Sequence, residues 1–239
     1  MSGHSKWSTI KRAKGAADAK RAALFAKLSK KISIAAREGG SGDISHNFKL
    51  RVEVEKARAQ SMPNDNIDRA IKKGMGQSGG PAIEEIIYEG YGPFGVALII
   101  EAASDNRNRT VQSIKHTLTK AGGSLGAQGS TAWLFETVGQ IMVENSGKDM
   151  SELQLIAIEG GAKDIEESKE GLVITTTPDG LDSITKQLKA VGAAVVSSEV
   201  IRKCTQPVEL TSEQTEKIEN LIEQLEDDED VVSVFTSIN

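Results

Sequence analysis

Gln140-Ile141-Met142-Val143-Glu144 and Leu172-Val173-Ile174-Thr175-Thr176-Thr177 decide how the middle of this chain folds. Both runs are short, apolar or β-branched, and have the length of a buried strand rather than of a helix. Around them lie a helical stretch from Ser151 to Ile158, a strand near Ile165, a helix from Leu181 to Val191 and a strand from Ala194 to Ile201. The order from about 138 to 202 is therefore βαββαβ, that of a ferredoxin-like unit.

Upstream, Val96–Ala102 reads as a strand, Arg109–Ala121 as a helix stopped by Gly122-Gly123, and Thr131–Glu136 as a further strand. Downstream there remain only a helix from Thr211 to Leu225 and a strand from Val231 to Ile238, too little to bury a core alone. These two elements complete the unit interrupted at Glu136. The expected chain is α+β, with a basic N-terminal helical domain over residues 1–78, a discontinuous α/β domain over 79–137 plus 205–239, and an inserted ferredoxin-like α/β domain over 138–204.

Three helices are expected in the first part. From Asp18 to Arg37, Leu24, Leu28, Ile32 and Ala35 share one face, while Lys20, Lys27, Lys30, Lys31 and Arg37 fall away from it. A second helix runs from Asn47 to Ala59 with Phe48 and Val52 one turn apart, ending before Pro63. A third runs from Asn64 or Asp65 to Gly74, with Ile67, Ala70 and Ile71 inward and Arg69, Lys72 and Lys73 outward. The glycine-rich stretch Gly74–Pro81 then marks a boundary.

Of 239 residues, 38% are apolar and 26% charged, the composition of a globular protein. The longest unbroken apolar stretch, Val96–Ile100, is far short of the roughly 20 residues of a membrane span. A single cysteine, Cys204, makes no internal disulfide, which fits a reducing cytosol. The net charge of −5 is unevenly spread: through Gly74 there are seventeen Lys/Arg against seven Asp/Glu, leaving twelve against twenty-seven beyond. The chain is expected to be electrically polar from end to end, with its basic pole facing polyanions.

Catalytic and cofactor motifs do not survive their context. Gly90-Tyr91-Gly92-Pro93-Phe94-Gly95 has the spacing G-x-G-x-x-G, but it precedes a strand instead of opening a helix, so it reads as a tight turn. His4, His46 and His116 lie apart and lack zinc-ligand spacing. No G-x-S-x-G elbow accompanies the serines, and Cys204 reads as a small apolar residue. The expectation is a non-catalytic protein with no metal or cofactor. Glu226-Asp227-Asp228-Glu229-Asp230 reads as a solvated helix end that would repel phosphate, placing nucleic acid at the other end of the molecule.

Two basic segments stay as candidates for phosphate contact. Asp105-Asn106-Arg107-Asn108-Arg109-Thr110 holds a helix cap and two arginines, for which contact with nucleic acid and pairing with surface carboxylates stand level. The stronger candidate is the N-terminal arm, with His4, Lys6, Trp7, Lys11, Arg12, Lys14, Lys20 and Arg21, continued by Lys27. Its cations neutralise phosphates, and the faces of Trp7 and His4 stack on unpaired bases.

Gly3-His4-Ser5-Lys6-Trp7, Ala35-Ala36-Arg37-Glu38-Gly39-Gly40, Met62-Pro63-Asn64-Asp65-Asn66-Ile67, Tyr88-Glu89-Gly90-Tyr91-Gly92-Pro93 and Asp105–Thr110 strongly resemble the YebC/PmpR family, and the similarity covers essentially the whole chain. The resemblance implies an N-terminal three-helix domain followed by two ferredoxin-like α/β domains, the second inserted in the first. It further implies a regulator of gene expression. Family members are described as DNA-binding transcriptional regulators, mitochondrial relatives as translational activators, and bacterial ones are tied to relief of ribosome stalling on proline-rich stretches. Duplex DNA and ribosomal RNA, with the ribosome itself, are thus the expected partners, and no membrane. The family motif begins at Gly3 and leaves no room for a transit peptide, so the cytoplasm is the expected location. A competing expectation of another class is a small-molecule-sensing or protein-interaction module, because ferredoxin-like units host many functions.

Overall fold

The computed structural model describes residues 18–238, with side-chain surroundings from Arg21 onward. The described chain forms two compact units. One runs through Ala132 and resumes from Leu210 to Thr236; the other is built on Trp133–Glu209.

In the first unit, α1 (Asp18–Glu38), α2 (Phe48–Ala59) and α3 (Asn64–Gly74) share a core of Leu28, Ile32, Ala35, Ala36, Leu50, Val54, Ala57, Met62, Ile67 and Ala70. α1 buries more than the expected stripe, because its next face places Ile34 against Ile83, Ala103 and Val232. Leu24, one turn before the core begins, is 38% exposed. The α2 face also differs from expectation. Leu50, Val54 and Ala57 turn inward, while Phe48 is 49% exposed under the Arg51 guanidinium, 5.4 Å from the ring centroid. The cap decides this register: the Asn47 side chain accepts from the Leu50 N–H at 3.0 Å and donates to the Ala35 and Ser41 carbonyls at 2.9 Å, so position 47 is the buried end of the helix. α3 lies close on α1 at Gly74, where an added Cβ would stand 2.2 Å from the Ser33 carbonyl oxygen.

The sheet of this unit has the order β3-β1-β2-β8, all antiparallel, from β1 (Glu84–Tyr91), β2 (Ala97–Ser104), β3 (Ser124–Leu125) and β8 (Val231–Thr236). β1 carries no sequence signal of a strand; its two glutamates at the start and Glu89-Gly90 near its end spoil the alternation. The glycine motif is the turn between β1 and β2, with Phe94 at φ 63° and Gly95 at φ 76°. α4 (Arg107–Lys120) opens two residues earlier than expected because Asn106 caps it, accepting from the Arg109 N–H at 3.1 Å. α7 (Ser212–Glu226) opens on a capping box between Thr211 and Gln214. Thr211→Ala is expected to lower the stability of this unit by about 1 kcal/mol in urea denaturation.

The second unit holds β4 (Phe135–Glu144), α5 (Met150–Glu159), β5 (Asp164–Ser168), β6 (Gly171–Thr176), α6 (Leu181–Ala190) and β7 (Ala194–Cys204). Its antiparallel order β5-β6-β4-β7 is the ferredoxin-like arrangement, with Ile141 opposite Ile174 and Val143 opposite Leu172. Leu153 and Ala157 of α5 and Ile184 and Leu188 of α6 close the core over one face. The expected strands 131–136 and 140–144 prove to be one strand beginning at Phe135. Thr131 and Ala132 are withdrawn from it because their N–H groups bond the Glu89 carboxylate instead. The chain leaves the first sheet after β3 and returns to it as β8, so the fold is α+β with one sheet unit inserted in the other.

Candidate nucleic-acid interface

Charge in the first unit is organised around Asp230, whose residue is 4% exposed. It stands where α7 turns into β8, and the pairing of β8 with β2 brings it beside both α1 and the start of α4. Lys30 Nζ donates to Asp230 Oδ1 at 2.7 Å and to the Glu229 carbonyl at 2.7 Å. Arg109 donates through Nη2 to both carboxylate oxygens at 3.1 and 2.9 Å and through Nε at 3.2 Å. The hydroxyls of Thr110 and Ser104 add donations at 2.8 and 3.0 Å. Burial pushes this carboxyl up, but the bonds from Lys30, Arg109 and Thr110 outweigh it and hold the pKa at about 2. The Arg109 guanidinium is correspondingly raised by its hydrogen bonds and charge contact with Asp230.

The neighbouring acids also meet donors of the first unit. Lys27 donates to the Glu226 carbonyl, and burial lowers its pKa against the pull of Glu226, Asp227 and Asp228. Glu226 is raised, by burial foremost. Ser113 donates to Asp228. Glu226, Asp227 and Glu229 are exposed, as a solvated end would be, but the acidic run is not remote from the basic segment: Lys27 and Lys30 of α1 bond to it. The end-to-end polarity expected from the sequence is corrected, because the discontinuous topology folds the acidic C-terminus back onto the basic N-terminal helices.

Of the sequence-derived candidates, Lys27 and Arg109 face this acidic turn, and Arg107 pairs with Glu84 at 2.9 Å. Arg21 is exposed, with no carboxylate at ion-pair distance among the described residues. Lys20 lies in α1, with its side chain outside the description, and His4, Lys6, Trp7, Lys11, Arg12 and Lys14 lie outside the described residues. The sequence reading did not carry Arg37, Arg58, Lys72 and Lys73 into the candidate set. All four are exposed without a carboxylate partner among the described residues, and their only sequence signal is the outer helix position.

Among the described residues no three His, Cys, Asp or Glu side chains are grouped to hold a metal ion. No described helix is long and apolar enough to cross a membrane.

A basic three-helix segment and two four-stranded antiparallel sheets, one inserted in the other along the chain, define the class of the chain. Residues 5–77 match the TACO1/YebC protein N-terminal domain, and residues 83–238 match the TACO1/YebC second and third domain, so the chain belongs to the TACO1/YebC family. It is 46% identical to a "Probable transcriptional regulatory protein" of Thermoanaerobacter pseudethanolicus, over 100% of this chain and 97% of that one. It is 48% identical to a protein of the same description from Roseiflexus castenholzii, over 100% of this chain and 95% of that one. The crystal structure of a conserved hypothetical protein from Aquifex aeolicus is similar at a TM-score of 0.84 and 38% identity, covering 93% of this chain and 91% of that one.

Proposed function

We propose that this chain is a non-catalytic, nucleic-acid-binding regulator of gene expression, acting in the cytoplasm without a cofactor. The arm residues Lys6, Trp7, Lys11, Arg12, Lys14, Lys20 and Arg21 make the main contact. The observation that carries this reading is the set of exposed, uncompensated cations, Arg21, Arg37, Arg58, Lys72 and Lys73, which continues the arm's charge along the helical segment in a chain of net charge −5. Cations left unpaired in an acid-rich protein keep their full attraction for phosphate. The relatives' description as transcriptional regulatory proteins supports the same class of role.

Duplex DNA and ribosomal RNA are the two partners this chemistry serves. Binding to promoter duplexes and to ribosomes, each at two salt concentrations, separates them. Charge reversal at Lys11, Arg12 and Lys14 is expected to weaken the productive complex at least tenfold and to flatten its salt slope by about one unit per lost phosphate contact. An unchanged slope would remove the arm from the interface. Arg107 and Arg109, tied to Glu84 and Asp230, serve as a secondary surface at most.

A further inference from the structure

Between the glycine turn that follows α1 and the last turns of α3 lies a groove of about 310 Å³ lined by Gly42, Asp68, Ile71, Lys72, Met75 and Gln77. Hydrogen bonds tie the backbone on both sides. The Asn47 amide holds the Ser41 carbonyl, the Met75 N–H bonds the Ile71 carbonyl at 3.0 Å, and the Gln77 N–H bonds the Lys72 carbonyl at 2.9 Å. Gly42 is small enough to let the turn approach: a Cβ there would stand 3.0 Å from Ile71 Cγ2 and 3.4 Å from Met75 Cγ. Ile71 and Met75 pack against the helical core yet stay partly exposed, forming an apolar floor. Asp68 and Gln77 are exposed at its edge, and Lys72 lines it without a carboxylate partner among the described residues.

We infer that this groove binds one unpaired nucleotide of a nucleic-acid strand, a site that rests on the nucleic-acid reading above and deepens it. The flat face of a base covers Ile71 and the Met75 thioether, a favourable sulfur–aromatic pairing. The Asp68 carboxylate only accepts, so it selects bases with N–H donors on their pairing edge, and guanine offers two side by side. The Gln77 amide both donates and accepts at the remaining edge. Lys72 takes a flanking phosphate. A base inside a duplex is stacked and paired and does not enter, so the site distinguishes single strands from duplexes.

Fluorescence anisotropy with a short labelled guanine-containing RNA, the DNA of the same sequence and its duplex tests the assignment on the full chain. Single strands are expected to bind more tightly than the duplex. Lys72→Glu should lower single-strand affinity about fivefold and flatten the salt slope by about 0.7 units. Asp68→Asn should erase the preference for guanine over uracil or thymine while leaving the thermal midpoint unchanged, since the residue is exposed. Equal binding of single strands and duplex, or unaltered affinity after the Lys72 reversal, overturns the site. If reversal at Lys11, Arg12 and Lys14 abolishes binding while reversal of Lys72 leaves it unaltered, the site falls and the nucleic-acid reading stands. A wild-type chain that binds none of the probes overturns both.

Discussion

Asp230→Ala is expected to destabilise the first unit by about 3–5 kcal/mol, the cost of removing one partner from a buried charge cluster. Lys30, with its side chain 19% exposed, loses its counter-charge, and the Ser104 and Thr110 hydroxyls lose their acceptor. The same carboxylate makes stability depend on pH. Its folded pKa of about 2 lies below the ordinary 3.8, so its contribution is complete above the ordinary value and is lost as pH falls through about 2. A depression of that size corresponds to about 2 kcal/mol. Urea denaturation of wild type and variant should therefore show a gap that narrows by about 2 kcal/mol between about pH 6 and about pH 2. A gap of constant width would remove the charge argument and leave Asp230 a packing residue.

Glu89→Ala is expected to cost about 3–4 kcal/mol, because three backbone donors lose one acceptor. The buried Glu89 carboxylate accepts from Gly129 at 2.6 Å and from Thr131 and Ala132 at 2.7 Å each. Burial pushes its pKa up, but those three N–H groups and the Thr131 hydroxyl pull it below the ordinary value. Amide exchange at Gly129, Thr131 and Ala132 should accelerate sharply in the variant. Protection unchanged at these amides would contradict the anchoring role. Glu89→Gln keeps one acceptor oxygen but sets an amide N–H₂ against a backbone donor, so it should recover only part of the loss.

Glu89 also explains why β1 was invisible in the sequence. A carboxylate inside a strand reads as exposure, and the donors that make burial tolerable lie some forty residues along the chain. Elements whose signal is local were legible: the βαββαβ run of the second unit, the α1 stripe at Leu28, Ile32 and Ala35, and the helix α7. Phe48 misled because an aromatic at a helix start counts as core by periodicity, whereas the Asn47 cap turns it outward. The acidic run misled for a topological reason. Charge counted along the chain says where charges are in sequence, and β8 pairing with β2 decides where they are in space. The sequence put forward the arm, most of which lies outside the described residues; the groove on α3 had no sequence signal, since it needs the Gly42 turn to meet Ile71 and Met75.

The strand that closes the first sheet, β8, is made only after all of residues 133–209. While a nascent chain elongates through residues 133–209, β2 waits with one rim bare, and Lys30 and Arg109 wait for Asp230. An open rim of that kind invites mispairing with other chains. A premature stop codon after residue 210 would thus spare the unit encoded in the middle of the gene and cripple the one encoded first.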